Sequence, residues 1–237
     1  MSASERPGTA VITGAGSGIG AAIARALAAR GWSLGLIGRR ADSLEASLAA
    51  SGGRGSIAPA DVRDEGALSD AVRRVESEQG TVDLAVAAAG VAHVGAFVEI
   101  ESKAFRETID TNLVGAANLF RAVLPGMVDR GRGHLVPLLS VASRQAFPGW
   151  SAYCASKWGL LGLVESLRED LRGSGVRISA VTPGATESPL WDQVPGQWNR
   201  EAMLPADAVA RAVVWAIEAG EEVAVEEIRL RPPGGDL

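Results

Sequence analysis

Cysteine, histidine and long apolar runs are all scarce in this sequence. Cys154 is the only cysteine, so no disulfide can form within the chain. With His93 and His134 as the only histidines, the usual ligands of a structural zinc site are lacking as well. No apolar run approaches the roughly 20 residues that a membrane-spanning helix needs. We therefore expect neither a bound metal nor a membrane partner.

Positive charge is also in short supply. The net charge is −5, and the arginines are scattered rather than gathered into a basic stripe, which argues against a nucleic-acid-binding protein. The first residues, MSASERPGTAVITG, lack the charged start and apolar stretch of a signal peptide. A hydrophobic content of 47% is too high for a disordered chain. These features predict a folded cytoplasmic protein.

Short apolar segments alternate with longer helical patterns from one end of the chain to the other. The candidate strands are 9–13, 33–38, 55–60, 83–89, 134–140, 177–182 and 223–230. The candidate helices are 18–30, 41–51, 64–79, 101–130, 151–173 and 206–219. The early strands are apolar throughout, as in parallel strands covered on both faces. The pattern predicts one α/β domain over residues 1–237, a Rossmann-like doubly wound parallel sheet of about seven strands with helices on both faces.

One residue conflicts with this pattern. Pro137 falls inside a predicted central strand, where its missing N–H removes a hydrogen bond between strands. We expect either a bulge at this position or pairing that starts later in the strand.

A glycine-rich segment, TGAGSGIG at residues 13–20, directly follows the first strand and opens the first helix. Glycines let a ligand approach the backbone closely, and the N–H groups of a helix N-terminus favour a pyrophosphate. A tight turn can need glycine for geometry alone, but this position between strand and helix is typical of dinucleotide sites.

The end of the second strand, LIGRR, bears on the choice of nucleotide. Gly38 stands where an acidic residue would bind the ribose 2′-hydroxyl of NAD, and Arg39 follows in a position suited to a 2′-phosphate. The alternative is that Arg39 and Arg40 simply solvate a helix start, which is the better interpretation for Arg40. The sequence favours NADP(H), while NAD(H) stays possible.

The only tyrosine of the chain, Tyr153, lies four residues before Lys157 and follows Ser140 at a strand end. Residues four apart share a helix face, so the lysine ammonium can approach the phenol and lower its pKa towards neutrality. A general acid or base works best when its pKa is near the working pH. The alternative is packing, in which the tyrosine fills the core and the lysine extends along the helix.

Several short motifs occur together in this chain. They are TGAGSGIG (13–20), DV (61–62), AAAG (87–90), TNLVG (111–115), the serine of LLSVAS, YCASK (153–157) and PGATES (183–188). Together they make the chain resemble the short-chain dehydrogenase/reductase family over essentially its whole length. Ala87 and Ala88 depart from the pattern, because two asparagines are common there and one of them ties the central strand to its neighbour.

The resemblance implies an NADP(H)-dependent oxidoreductase that interconverts a ketone or aldehyde and an alcohol. Tyr153 would be the general acid or base, Lys157 would bind the nicotinamide ribose and lower the tyrosine pKa, and Ser140 would bind the reacting oxygen. Asn112 would position a water that links Lys157 to solvent. The residues expected to contact the nucleotide are Gly14, Ser17, Gly18, Ile19, Gly20, Asp61, Val62, Gly90, Tyr153, Lys157, Pro183, Gly184 and Ser188.

The segment 188–205 is predicted to be a substrate loop, either a cap over the core or a mobile lid that excludes water. Its Trp191, together with Phe147, Trp150 and Ser140, would shape a modest hydrophobic substrate pocket. The resemblance also suggests a homodimer or homotetramer built on the helices 101–130 and 151–173. The alternative function is a non-catalytic NADP-binding sensor or scaffold that keeps the fold.

Overall fold

A computed structural model describes residues 7–52, 54–220 and 222–235. The strands are β1 Thr9–Thr13, β2 Ser33–Gly38, β3 Gly55–Pro59, β4 Val82–Ala87, β5 Gly133–Pro137, β6 Val176–Ile178, β7 Ala180–Pro183 and β8 Glu227–Leu230. The helices are α1 Gly18–Ala28, α2 Ala41–Ala50, α3 Glu65–Gln79, α4 Ser102–Ile109, α5 Gly115–Asp129, α6 Ser151–Asp170 and α7 Ala206–Glu218. No helix within these ranges is long and apolar enough to cross a membrane.

Six parallel strands form the central sheet in the order β3-β2-β1-β4-β5-β6, and β7 pairs with β8 in a second, two-stranded sheet. The doubly wound α/β fold is therefore confirmed. The central sheet has six strands rather than about seven, because the predicted strand 177–182 breaks at Ser179 into β6 and β7. The order reverses between β1 and β4, which is where open sheets of this kind bind ligands.

Both faces of the sheet are covered by helices. Side chains of α3, α5 and α6 pack on one face, where Val11 of β1 joins Leu68, Phe120 and Leu160. Helices α1, α2 and α7 cover the other face. Because successive strand residues point to opposite faces, β1 supplies apolar side chains to both cores, which explains its unbroken apolar sequence.

Pro137 is the last residue of β5 and pairs in register with Ala87 of β4, so neither the expected bulge nor the expected late start is found. On the other side of β5, Ser179 donates to the carbonyl of Leu135 and Leu139 donates to Val181. Every second residue of β5 bonds to this side, so the N–H that Pro137 lacks would have pointed towards Ser179, the residue between β6 and β7. The lost hydrogen bond therefore coincides with the break between those strands.

The predicted helix 101–130 is interrupted by a π-helical turn at Asp110–Val114, and Gly115 donates its N–H to Asp110 five residues earlier. A π turn inserts one extra residue into a helix and is frequent at functional sites. This one contains Asn112. A Cβ on Gly115 would lie 2.5 Å from Val62 Cγ2, so this small residue serves packing within the chain.

Candidate active site

A cavity of about 640 Å³ opens at the carboxyl ends of the parallel strands. Its volume lies within the range of small-molecule and cofactor sites. Every residue that the sequence analysis named for the site lines this cavity, with the exception of Asn112. The fold brings them together because the parallel strands that precede them end at the same edge of the sheet.

The glycine-rich turn forms one end of the cavity. Gly14 has a φ of +67°, and a Cβ there would lie 2.7 Å from the backbone nitrogen of Ala89. A Cβ on Gly20 would collide with the carbonyl oxygen of Gly14. Ser17, the N-cap of α1, makes no capping hydrogen bond with its side chain. The start of α1 thus offers backbone N–H groups to the cavity, which fits a nucleotide pyrophosphate.

The alanines that replace the usual asparagines do not leave β4 untied. The Thr13 hydroxyl donates to the Val86 carbonyl at 3.4 Å and accepts from the N–H of Ala89 at 3.4 Å. Thr13 therefore joins the end of β1 to the end of β4 next to Ala87 and Ala88. This role of Thr13 was not predicted, although a hydroxyl at the end of a buried strand was a signal for it.

At the far side of the glycine turn, Arg39 and Arg40 line the cavity together with Asp61. Arg63 donates to both carboxylate oxygens of Asp61, with Nη2 2.6 Å from Oδ2. This hydrogen bonding holds the pKa of Asp61 below its usual value, and the charge of Arg39 adds to the effect. Arg39 is exposed and makes no hydrogen bond or ion pair with residues 7–52, 54–220 or 222–235. Its guanidinium is thus available to an anion.

Ser140, Tyr153 and Lys157 lie together on the cavity wall. Ser140 comes shortly after β5, and its hydroxyl accepts from the N–H of Ala142 at 3.2 Å. Lys157, one turn along α6 from Tyr153, donates from Nζ to the Leu138 carbonyl at 2.7 Å. Its Nζ lies 5.7 Å from the centroid of the tyrosine ring. The three side chains therefore line the same part of the cavity.

The lowering of the Tyr153 pKa that the neighbouring lysine predicted is not found, and the prediction was wrong. Burial raises the pKa of Tyr153 to about 12, because desolvation disfavours the phenolate more than the Ser140 hydrogen bond favours it. Burial also lowers the pKa of Lys157 to about 8. Tyr153 is thus protonated throughout the neutral range, the form that a proton donor needs.

Asn112 lies behind the cavity wall and is buried. Its Nδ2 donates to the Val91 carbonyl at 2.9 Å and to the Ser156 hydroxyl at 3.0 Å, and its Oδ1 accepts from the N–H of Val91 at 2.8 Å. Asn112 thereby fastens the π turn to the segment after β4 and to the helix of Tyr153. Both amide hydrogens are engaged, and the water-positioning role stays a prediction.

A half-buried ion-pair group supports the turn that follows Ser140. Arg144 of this turn pairs with Glu227 of β8 at 3.0 Å, and Glu227 also accepts from Arg229 and from the Thr182 hydroxyl, each at 2.9 Å. Burial opposes the charge on Glu227, but these hydrogen bonds outweigh it and lower the pKa to about 2. The group ties β7, β8 and the serine turn together.

Replacing Glu227 with Gln should lower the free energy of unfolding by about 0.5–2 kcal/mol near pH 7, because charged hydrogen bonds are lost from a half-buried group whose arginine partners are exposed to solvent. The folded pKa lies below the value of roughly 4.3 in the unfolded chain. The stabilisation is therefore complete above that value and is lost as the pH falls towards 2. Urea titrations should show a smaller difference from wild type near pH 3. Glu45→Gln, at an exposed position, is the matched control and should change stability by under about 0.5 kcal/mol.

Aromatic residues form the remaining side of the cavity. Phe147, Trp150 and Trp191 line it as predicted, and Trp198 of the same loop does so as well. The loop between β7 and α7 contains two short 3₁₀ turns, Pro189–Gln193 and Arg200–Ala202. Trp198 belongs to the segment predicted to be a substrate loop, but it was not named among the residues expected to contact the substrate.

Comparison with known proteins places this geometry in context. A family model described as "short chain dehydrogenase" matches residues 8–198. Sepiapterin reductase of Chlorobaculum tepidum is 37% identical over 237 aligned positions, which cover 96% of this chain and 97% of that protein. Glycine betaine reductase ATRR of Emericella nidulans is 36% identical over 94% of this chain, but the match spans only 18% of that much longer protein.

Two solved structures are similar over nearly their whole length. One is an alcohol dehydrogenase from the archaeon Thermococcus sibiricus complexed with 5-hydroxy-NADP, with a TM-score of 0.87, 31% identity and coverage of 95% of this chain and 97% of that one. The other is a metagenomic short-chain oxidoreductase in complex with NADP, with a TM-score of 0.83, 31% identity and coverage of 95% and 96%.

Proposed function

Since the chain belongs to the short-chain dehydrogenase family of NAD(P)-dependent oxidoreductases, we propose that it interconverts a carbonyl compound and its alcohol with NADP(H) as cofactor. The observation that carries this proposal is the meeting of Ser140, Tyr153 and Lys157 in the cavity that the glycine turn also lines. Two similar solved structures contain NADP or 5-hydroxy-NADP, which supports NADP(H).

The residues present fit this nucleotide at each end of the cavity. The N–H groups at the start of α1 would hold the pyrophosphate, and Arg39 would pair with the 2′-phosphate. Lys157 would hydrogen-bond the nicotinamide ribose, and Ser188, next to Gly18, would lie against the nicotinamide. When bound, NADPH supplies the hydride that reduces the carbonyl carbon.

The protein supplies the proton. In reduction, Tyr153 donates its phenolic proton to the carbonyl oxygen, which becomes the hydroxyl of the product alcohol. Ser140 donates a hydrogen bond to the same oxygen and stabilises the negative charge that develops there. The ammonium of Lys157, one helical turn away, offsets the charge of the phenolate that remains. In oxidation the phenolate accepts the alcohol proton and the same contacts operate in reverse.

A screen of NADPH consumption over ketones, aldehydes, acyl thioesters and sugars tests this proposal, with NADH run in parallel. We expect turnover of at least one carbonyl class and a preference for NADPH. Tight NADPH binding without consumption of any carbonyl would contradict the proposal and would favour the non-catalytic alternative, which the named relatives do not favour. A preference for NADH would contradict the role of Arg39.

Three further predictions concern the whole molecule. We propose a single domain, a homodimer or homotetramer built on α4, α5 and α6, and a cytoplasmic location. Size-exclusion chromatography with light scattering measures the assembly directly, and a monomer at working concentration would contradict it.

A further inference from the structure

Four aromatic rings form a continuous wall that begins at the catalytic phenol. The ring centroids of Tyr153 and Trp150 are 5.4 Å apart, those of Trp150 and Trp191 are 5.7 Å apart, and those of Trp191 and Trp198 are 5.0 Å apart. The first two pairs have the edge-to-face geometry that aromatic pairs favour, with interplanar angles of 74° and 62°, and the planes of Trp191 and Trp198 are tilted by 55°. We refer to these four residues as the aromatic wall.

The outer two rings have no hydrogen-bond donor left for a ligand. Trp191 donates its Nε1–H to the Thr186 carbonyl at 2.9 Å, and Trp198 donates to the Pro195 carbonyl at 3.2 Å. An indole has only this one donor and no side-chain acceptor. Both rings therefore present only carbon surface to the cavity.

Arg200 fastens the loop that carries these rings. Its Nε donates to Glu187 Oε2, its Nη1 to Asp192 Oδ1 and its Nη2 to the Ser188 carbonyl, each at 2.8 Å. Glu187 and Asp192 stand on either side of Trp191 in the sequence, so the contacts fix the loop segment around that ring. The aromatic wall is thus formed before a substrate arrives, which reduces the entropy lost on binding.

Charge is distributed unevenly along the cavity. Among the described lining residues, Arg39, Arg40 and Asp61 lie at the nucleotide end, and Lys157 lies by Tyr153. No Asp, Glu, Arg or Lys among the described lining residues comes from the loop of the outer rings. A carboxylate or phosphate on the substrate would therefore be desolvated against the aromatic wall without a counter-charge, which is costly.

We propose that the substrate is an uncharged carbonyl compound with a planar ring one or two bonds from the carbonyl carbon. This inference rests on the proposed function, because Tyr153 fixes where the reacting oxygen lies. A ring at that distance from the oxygen would lie beside Trp150, whose centroid is 5.4 Å from that of Tyr153, and Trp191 continues the wall 5.7 Å further on. Stacking on rings already held in place then gives selectivity for a planar group.

Matched ketones separate this proposal from its alternatives. Phenylacetone and nonan-2-one have the same number of carbons, but only the first carries a ring. We expect kcat/KM for phenylacetone to exceed that for nonan-2-one by about tenfold. A para-carboxylate on phenylacetone should lower its kcat/KM by at least about tenfold. A trimethylammonium ketone tests whether the tryptophan faces select a cation instead.

Two tryptophan variants locate the effect. Trp191→Leu should lower the preference for phenylacetone over nonan-2-one by about threefold to tenfold. Trp215→Leu, at a 62% exposed position on α7 that does not line the cavity, should leave that preference unchanged. Calorimetric binding of the two ketones to the protein with NADP⁺ gives a readout that does not depend on turnover.

The outcomes distinguish the two levels of the proposal. Turnover without a ring preference, or a preference for the carboxylate or the trimethylammonium ketone, would overturn the substrate class and leave the proposed function intact. Binding that favours phenylacetone without any turnover would overturn the proposed function and keep the assignment of the aromatic wall. A ring preference that Trp191→Leu does not reduce would overturn the role of the wall.

Discussion

Replacement of Tyr153 with Phe should lower kcat for carbonyl reduction by about 10³-fold, since the group proposed to donate a proton to the substrate oxygen is removed. The phenyl ring keeps the edge-to-face contact with Trp150, so the substitution deletes the hydroxyl and little else. The dissociation constant for NADPH should change by less than about threefold, because the phenyl ring keeps the shape of the side chain and the pyrophosphate and 2′-phosphate contacts proposed above lie on other residues. Initial rates and equilibrium NADPH titrations measure the two quantities.

Ser140→Ala is the companion variant for this prediction. It removes a hydrogen bond to the reacting oxygen but leaves the proton donor, so its kcat should fall by less than that of Tyr153→Phe. If Tyr153→Phe kept its activity within about tenfold of wild type, another group would supply the proton and the mechanism would be wrong. Loss of NADPH binding in the same variant would point to a structural role for the phenol.

The raised pKa of Tyr153 gives this mechanism a direction. With a pKa of about 12, the phenol is a ready donor near neutral pH, whereas its base form is scarce. Oxidation of an alcohol needs the phenolate and should therefore accelerate as the pH rises over a range in which reduction changes little. A positive charge close to the Tyr153 hydroxyl would lower the pKa of the phenol and would move the onset of oxidation to lower pH.

Much of the fold was predictable because it depends on local periodicity. The predicted helix 41–51 is observed as Ala41–Ala50, and the predicted strands 9–13 and 33–38 match β1 and β2. The position of the site residues in one cavity was predictable as well, since parallel strands bring their carboxyl ends to one edge of the sheet. These features need only the order of the elements along the chain.

Other features depend on partners that are distant in the sequence. The break at Ser179 arises where the pairing partner changes, since β6 pairs with β5 and β7 pairs with β8. The π turn adds one residue to the helix, which the spacing of apolar residues does not reveal. The Tyr153 pKa was predicted in the wrong direction because helix spacing shows the neighbouring lysine but not the loss of water around the phenol. Burial is a property of the whole fold, and here it outweighs the local contact.

The choice of nucleotide gives the second large expected effect. Arg39→Ala should raise the dissociation constant for NADPH by about 10- to 100-fold, because a charged hydrogen bond to the 2′-phosphate contributes about 1.5–3 kcal/mol. The dissociation constant for NADH should change by less than about twofold, since NADH lacks that phosphate. Arg40→Ala is the matched control, because Arg40 is the neighbouring arginine and stands at the N-cap of α2. It should raise the dissociation constant for NADPH less than Arg39→Ala does.

Gly38→Asp turns the same site towards NADH. Gly38 does not adopt a left-handed conformation, and a Cβ there would lie 3.3 Å from Cδ2 of Leu44, a flexible side chain that can shift slightly. The new carboxylate would accept hydrogen bonds from the ribose 2′-hydroxyl of NADH and would repel the 2′-phosphate of NADPH. Together with Arg39→Ala it should move the ratio of the two dissociation constants by about 10²–10³-fold. If Arg39→Ala weakened NADH and NADPH equally, the guanidinium would act on a group that both nucleotides share, and the selectivity would have to come from elsewhere in the site.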